Sequence, residues 1–297
     1  MRVAITGSTG LIGTALSRHL ADRGHDVVPV VRRRPNDNEI GWSVEENRID
    51  ENAFDGIDAA VHLAGAGIGD HRWTASYKRE LVTSRTVGTA LIAEAVRTAD
   101  DPPKALLSGS AIGYYGSSPT ATFDESAENG EGFLADLCVS WEAAAAPART
   151  EETRLVYLRT GTVMSADGGA LKKQLPLFKY GLGGRMGDGN QWQSWISIHD
   201  VVGAIAHLLT SEVSGPVNLT APTPVTNAEF SNTLGQVLGR PTLLPIPEFG
   251  PKLVLGGELA DNLLSTGQRV LPTILLGDGY EFAHPDLESA LCALLAT

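Results

Sequence analysis

The sequence predicts an α/β protein, a doubly wound parallel sheet followed by a smaller C-terminal α/β region. Three observations carry that expectation. Short apolar runs, of the length of strands buried on both faces, alternate with helical patterns through six strands. Gly7, Gly10 and Gly13 separate the first such run, Val3–Ile5, from the first helix. Beyond residue 165 the regular alternation gives way to glycine-rich and aromatic segments. The expected division is a first domain over residues 1–165, to which 190–220 returns, and a smaller region over 166–297.

The totals exclude several classes. A chain of 297 residues, 42% hydrophobic and 20% charged, can bury a sizeable core. Its net charge of −12 argues against a nucleic-acid partner, which needs a basic face. Cys138 and Cys292 lie far apart in apolar settings and read as reduced, buried thiols rather than a disulfide, and no metal-ligand cluster surrounds them. No charged-then-apolar leader and no segment of membrane-spanning length is present, so the expectation is a cytoplasmic protein without a membrane partner.

The first strand runs into Thr6-Gly7-Ser8-Thr9-Gly10-Leu11-Ile12-Gly13. Glycine adopts positive φ freely and lets a ligand approach the backbone. Strand, tight turn and helix start bring free N–H groups and the positive helix end to one point, a cradle for a dinucleotide pyrophosphate in a Rossmann-like fold. A structural turn is the plainer reading, and the strand before and helix after favour the cradle. The helix covers Leu11 to Asp22 and stops at Gly24, a C-terminal cap. The second strand, Val27–Val31, ends in Arg32, Arg33 and Arg34. An acidic residue there would accept the ribose hydroxyls of NAD, whereas arginines suit the 2′-phosphate of NADP(H). A solvated basic loop is the alternative.

A third short strand is expected near Asn47–Ile49, and a fourth over Asp58–Leu63, which delivers Leu63, Ala64 and Gly65 to the cofactor side. His62 reads as a hydrogen-bonded core or rim residue, and Ala66–Arg72 as a flexible wall of the cleft. A long helix, Trp73 to Arg97, carries Glu80, Arg85 and Gly88. Gly88 points to close packing, and Arg85 is either a cofactor neighbour or a surface cation. Strand Ala105–Leu107 leads into Ser108-Gly109-Ser110-Ala111-Ile112-Gly113-Tyr114-Tyr115-Gly116, where open sheets bind ligands. Helix Phe133–Ala146 and strand Leu155–Leu158 follow, the latter ending in Arg159-Thr160-Gly161-Thr162-Val163.

In the remainder, Lys172–Tyr180 looks helical around Pro176, and Gly181–Gly189 reads as a binding loop. Tyr180, Arg185, Trp192 and Trp195 hint at an aromatic pocket with one anionic contact, or are plain core and surface. Helices over His199–Leu209, Asn227–Leu238, Leu253–Leu264 and Leu287–Leu295, with strands Val217–Leu219 and Leu243–Ile246, complete the chain.

Four segments carry a family resemblance: Thr6–Gly13, His62–Gly65, Ser108–Gly116 and Gly187-Asp188-Gly189-Asn190-Gln191-Trp192-Gln193-Ser194-Trp195-Ile196-Ser197-Ile198-His199-Asp200. With them the chain resembles the extended, sugar-nucleotide-epimerase-like short-chain dehydrogenase/reductases. Over its whole length it is similar to their atypical NAD(P)-dependent epimerase/dehydratase-like group, whose small C-terminal domain Leu243–Leu295 would match. The resemblance implies cofactor contacts at Gly7, Ser8, Thr9, Gly10, Leu11, Ile12 and Gly13. It extends them to Arg32, Arg33, Leu63, Ala64, Gly65, Glu80, Arg85 and Ser108, and to Thr162 and Val163 beside the nicotinamide.

The chain departs from the family at its chemical centre. In working members a tyrosine, and a lysine four residues on, share the helix after the serine strand; the lysine lowers the tyrosine pKa for proton transfer. Counting back from Trp141-Glu142 puts Leu134 and Cys138 at those positions. Ser110 remains, and Tyr114 or Tyr115 could supply a hydroxyl from another direction, or simply wall the cleft. The expected function is an NADP(H)-dependent oxidoreductase or epimerase-like enzyme acting on an unidentified small molecule. The alternative is an NADPH-binding sensor or interaction protein without turnover. Family dimers pair through the two long helices, so monomer and homodimer both remain open.

Overall fold

The structure, a computed structural model, describes residues 1–242, 245–247, 252–253 and 256–296. It begins with β1 (Arg2–Thr6), α1 (Leu11–Ala21) and β2 (Asp26–Val31), then β3 (Ile40–Ser43), β4 (Arg48–Ile49) and β5 (Ala59–His62). Next come α2 (Ala75–Arg97), β6 (Ala105–Ala111), β7 (Thr122–Phe123), α3 (Phe133–Ala145), β8 (Arg154–Thr160) and β9 (Thr162–Met164). The second half holds α4 (Gly169–Lys179), β10 (Trp192–Gln193), β11 (Trp195–Ser197), α5 (Ile198–Thr210), β12 (Gly215–Leu219), β13 (Val225–Thr226) and α6 (Asn227–Leu238). It closes with α7 (Gly257–Ala260), a π-type turn (Asp261–Ser265), β14 (Arg269–Val270), α8 (Thr273–Gly277) and α9 (Leu287–Leu295). The expected strand Leu243–Ile246 falls partly outside the described residues; within them Ile246 bridges Met186 in parallel.

The main sheet has eight strands in the order β12-β8-β6-β5-β1-β2-β3-β4. Neighbours from β12 to β3 pair in parallel, and β4 returns antiparallel to β3. The third strand is thus Ile40–Ser43, and the short strand expected near Asn47–Ile49 is the fourth, Arg48–Ile49, which is antiparallel. Ile40 and Trp42 are buried at the sheet edge, while Asn47, at φ 48°, turns the chain into the short return. Chain order reverses between β1 and β5, so the loops after those strands flank a crevice at the carboxyl edge, where such sheets take ligands.

Helices α1 and α5 cover one face. Leu16 and Leu20 join Val3, Ile5, Val201 and Ile205 there, each large side chain gaining roughly 1.5–3 kcal/mol from burial. Helix α2 covers the other face with Ile92 and Val96. Gly88 of α2 packs against Trp42, where a Cβ would stand 3.4 Å from the indole, at the near limit of ordinary contact. A separate core of Met164, Leu171, Phe178, Trp195, Phe230, Leu234 and Leu291 joins α4, α6 and α9. Trp195 is therefore core rather than pocket wall, whereas Tyr180 is 82% exposed. Cys138 is buried, but Cys292 is exposed, contrary to the expectation of two buried thiols, because it lies on the outer side of the last helix.

The C-terminal segment is stitched to the sheet through polar contacts. Asp200, wholly buried at the start of α5, accepts from the backbone N–H of Ala283 (2.7 Å) and His284 (3.1 Å) and from the Ser197 hydroxyl (2.7 Å). The Tyr280 hydroxyl lies 3.3 Å from the same carboxylate. Glu125 accepts from the N–H of Asn218 and of Ile274, and the Asn218 amide donates to the Leu271 carbonyl at 2.9 Å. The Ser194 hydroxyl donates to the Gln268 carbonyl and accepts from the Val270 N–H, both at 2.8 Å. Among the described residues no helix is long and apolar enough to cross a membrane.

Candidate functional site

The glycine loop is shaped by backbone against backbone. Gly7 has φ 67°, and a Cβ on it would stand 3.0 Å from the Ala64 nitrogen. A Cβ on Gly13 would drive into the Gly7 carbonyl. Helix α1 starts at Gly10 with no side-chain cap and no acidic residue in its first turn. The N–H groups of Leu11, Ile12 and Gly13 therefore stand at a bare, partially positive helix end. Ser8 is fixed through its carbonyl, which accepts the Thr14 hydroxyl at 3.2 Å, while Thr9 and Gly10 are exposed. This is the donor set a pyrophosphate requires, and side-chain bulk would close it.

A buried relay sets the second loop. The Thr6 hydroxyl oxygen accepts the N–H of Leu63 (3.0 Å) and Ala64 (3.2 Å), and lies 2.7 Å from His62 Nδ1. With two donors already on that oxygen, its own proton points to Nδ1. The ring proton therefore sits on Nε2, which faces Thr89 Oγ1 at 3.0 Å; the Trp141 indole N–H reaches the same oxygen at 2.9 Å. Burial pushes the His62 pKa down to about 4, so the ring is neutral. Arg85 lies over Gly65, with its guanidinium 4.9 Å from the Trp141 ring, and burial lowers its pKa. Arg85 thus reaches the rim of the crevice. Glu80 is exposed on α2 and makes no hydrogen bond or ion pair among the described residues.

The arginines after β2 divide. Arg33 makes a bidentate pair with Glu39, at 2.7 and 2.6 Å, whereas Arg32 and Arg34 are exposed without a partner among the described residues. Thr162 is exposed and Val163 half-buried. The Val163 carbonyl and the Leu11 side chain meet at Gly169, which joins this segment to the glycine loop.

At the end of β6, the Ser110 hydroxyl donates to Glu142 Oε1 at 2.7 Å. The same oxygen accepts from Arg159 Nε at 2.8 Å, and Arg159 Nη2 reaches Oε2 at 3.0 Å. Burial opposes the Arg159 charge, but the Glu142 carboxylate outweighs it and holds the guanidinium above its ordinary pKa. Arg159 Nη1 donates to the Tyr115 hydroxyl, which in turn donates to Asn218 Oδ1 at 2.7 Å. Tyr115 is only 2% exposed, and burial raises its pKa, so it stays a neutral phenol. The Tyr114 ring lies flat against Arg159, 3.4 Å from Cζ to centroid, and its hydroxyl has no partner among the described residues. Ser108 is fully buried and its hydroxyl lacks a partner among the described residues. Leu134 and Cys138 flank the turn at Gly113; burial pushes the Cys138 thiol up to about 11, so it is no base at neutral pH.

Sequence reasoning missed Glu142, Arg159 and Asn218 as site groups. The available signals were a carboxylate beside a tryptophan on an alanine-rich helix and an arginine at the tip of an apolar strand. Neither specifies the partner without the fold.

Known proteins resemble the chain over its full length. Residues 3–220 match the model of the NAD dependent epimerase/dehydratase family, and residues 246–294 match a domain of unknown function, DUF1731. The epimerase family protein Mb2239 of Mycobacterium bovis is 43% identical over 97% of this chain and 96% of its own. Human epimerase family protein SDR39U1 is 40% identical over the whole of both chains. A crystal structure of that human protein with NADPH superposes with a TM-score of 0.91, covering 100% of this chain and 99% of the other. A nucleoside-diphosphate sugar epimerase from Corynebacterium glutamicum, 33% identical, gives 0.81 over 99% of this chain and 58% of its own.

Proposed function

This chain belongs to the NAD dependent epimerase/dehydratase family, and on that premise we propose that it binds NADP(H) at the β1–β5 crevice and oxidises or reduces a small-molecule substrate. The observation that carries the reading is the bare first turn of α1, closed over Gly7 and Gly13 with no room for side chains. The NADPH bound by the human relative supports the choice of cofactor, as does Arg32, which has no anionic partner among the described residues. Gly7 to Gly13 hold the pyrophosphate, Leu63 to Gly65 and Arg85 flank the crevice, and Thr162 and Val163 lie toward the reacting end.

The cofactor supplies or accepts a hydride. Around it, Ser110 and Tyr114 offer the hydroxyls. The Ser110 proton rests on Glu142, so its oxygen presents lone pairs and receives a substrate hydroxyl as donor. For a carbonyl substrate the serine rotates off Glu142 to donate. Tyr115, held between Arg159 and Asn218, positions this wall rather than meeting substrate. Leu134 and Cys138 favour a second reading, cofactor binding without turnover, because leucine carries no proton to move and the buried Cys138 thiol is no base at neutral pH. A panel of carbonyl compounds with NADPH, followed by loss of nicotinamide absorbance, separates the two. Turnover abolished in Ser110→Ala supports the enzyme; NADPH binding with no turnover across the panel supports the sensor.

A further inference from the structure

Three arginines follow β2, yet the structure does not offer three cations to a ligand. Both terminal nitrogens of Arg33 are taken by the two Glu39 oxygens, and Nη1 also donates to the Arg34 carbonyl at 3.0 Å. Glu39 accepts the Asn36 N–H as well, at 2.8 Å, so its carboxylate closes residues 33–39 into a compact loop. The Glu39 side chain is 13% exposed against 59% for Arg33, so the carboxylate is the inner, fixed partner. Ile40 follows at once and pairs with Val30, which pins Glu39 beside the end of β2. Arg32, the first residue beyond that strand, remains uncommitted among the described residues.

We propose that Glu39 is a selectivity-limiting residue: it withholds Arg33 from the adenosine 2′-phosphate, leaves recognition to Arg32, and sets NADPH affinity below what the basic cluster would otherwise give. This rests on the reading that the crevice holds NADP(H). A guanidinium gives one planar fork of parallel donors, and a fork filled by a carboxylate cannot grip a phosphate in the same way. The Glu39 charge also repels the dianionic phosphate that Arg32 attracts. An NAD-type ribose carries no such phosphate, so the effect is confined to NADPH.

The test is a fluorescence titration of NADPH and NADH into the wild type and four variants. Arg32→Ala is expected to lower NADPH affinity at least about tenfold and to leave NADH within about twofold. Arg33→Ala should change NADPH affinity by less than about threefold. Glu39→Gln, which keeps the Asn36 contact, should raise NADPH affinity by about threefold or more, and Glu39→Ala should do the same, with NADH unmoved in both. Weaker NADPH binding in the Glu39 variants, or an Arg33→Ala loss equal to that of Arg32→Ala, overturns the division of labour while leaving NADP(H) binding intact. Absence of NADPH binding by the folded wild type overturns both.

Discussion

His62 gives a pH dependence that can be worked from its surroundings. Its ring is closed in by Thr6 on Nδ1 and Thr89 on Nε2 and is fully buried. Burial strips the ring of hydration, which is why the pKa falls to about 4, and a second ring proton would also face the Thr6 hydroxyl proton. The unfolded chain titrates near 6.5. Above that value neither state binds the proton and His62 has no effect on pH dependence. Below it the unfolded state takes up a proton that the folded state refuses, so stability falls as pH falls, until about pH 4. The slope is about 1.36 kcal/mol per pH unit, and between pH 6.5 and 5 the loss amounts to roughly 2 kcal/mol. Urea unfolding of the wild type and His62→Gln, at pH 7.5 and pH 5, measures it. Carboxylate contributions are common to both proteins and cancel in the comparison. The wild type should lose about 2 kcal/mol more than the variant across that interval. Equal losses would refute the argument that the ring is buried neutral.

Other perturbations probe the Ser110 network and the cradle. Glu142→Ala leaves a nearly inaccessible guanidinium unpaired and should cost about 3–5 kcal/mol by chemical denaturation, with Glu142→Leu/Arg159→Met recovering most of it; a loss under about 1 kcal/mol would contradict a buried pair. Tyr115→Phe removes the hydroxyl between Arg159 and Asn218 and should cost about 1–3 kcal/mol. Tyr114→Phe should stay within about 0.5 kcal/mol of wild type, and similar losses for the two would dissolve the distinction between them. Gly13→Ala should weaken NADPH binding at least about tenfold, read by the same fluorescence titration; unchanged affinity would mean the helix start is not where the pyrophosphate rests.

The alternation of strands and helices was readable because a strand buried on both faces needs an unbroken apolar run, and Val3–Ile5 and Leu155–Leu158 supply one. Gly7 and Gly13 were readable for the same local reason, since strand, turn and helix start lie within a few residues. The short strand near Asn47–Ile49 was found, as the edge strand Arg48–Ile49, but its neighbour was missed because Ile40-Gly41-Trp42-Ser43 is short and carries a glycine. The polar network lay out of reach. Ser110 meets Glu142 across 32 positions, and Tyr115 meets Asn218 across 103; no pattern in the chain ties such residues together. Tyr114 and Tyr115 are adjacent and chemically alike, yet one hydroxyl is locked in the core and the other has no partner among the described residues. Only the turn at residues 112–115 assigns them different directions.

The contacts of Asp200, Glu125, Asn218 and Ser194 with residues 268–284 bear on how the chain is made. Each of these four side chains is synthesised more than fifty positions before a partner that it meets in that stretch. Until that stretch arrives, the Asp200 carboxylate at the start of α5 lacks the backbone donors of Ala283 and His284, and burying it without them would be costly. The seam between the sheet and residues 268–284 therefore closes only after those residues have been synthesised. A chain cut before residue 268 would carry these polar seams exposed to water in place of a closed interface.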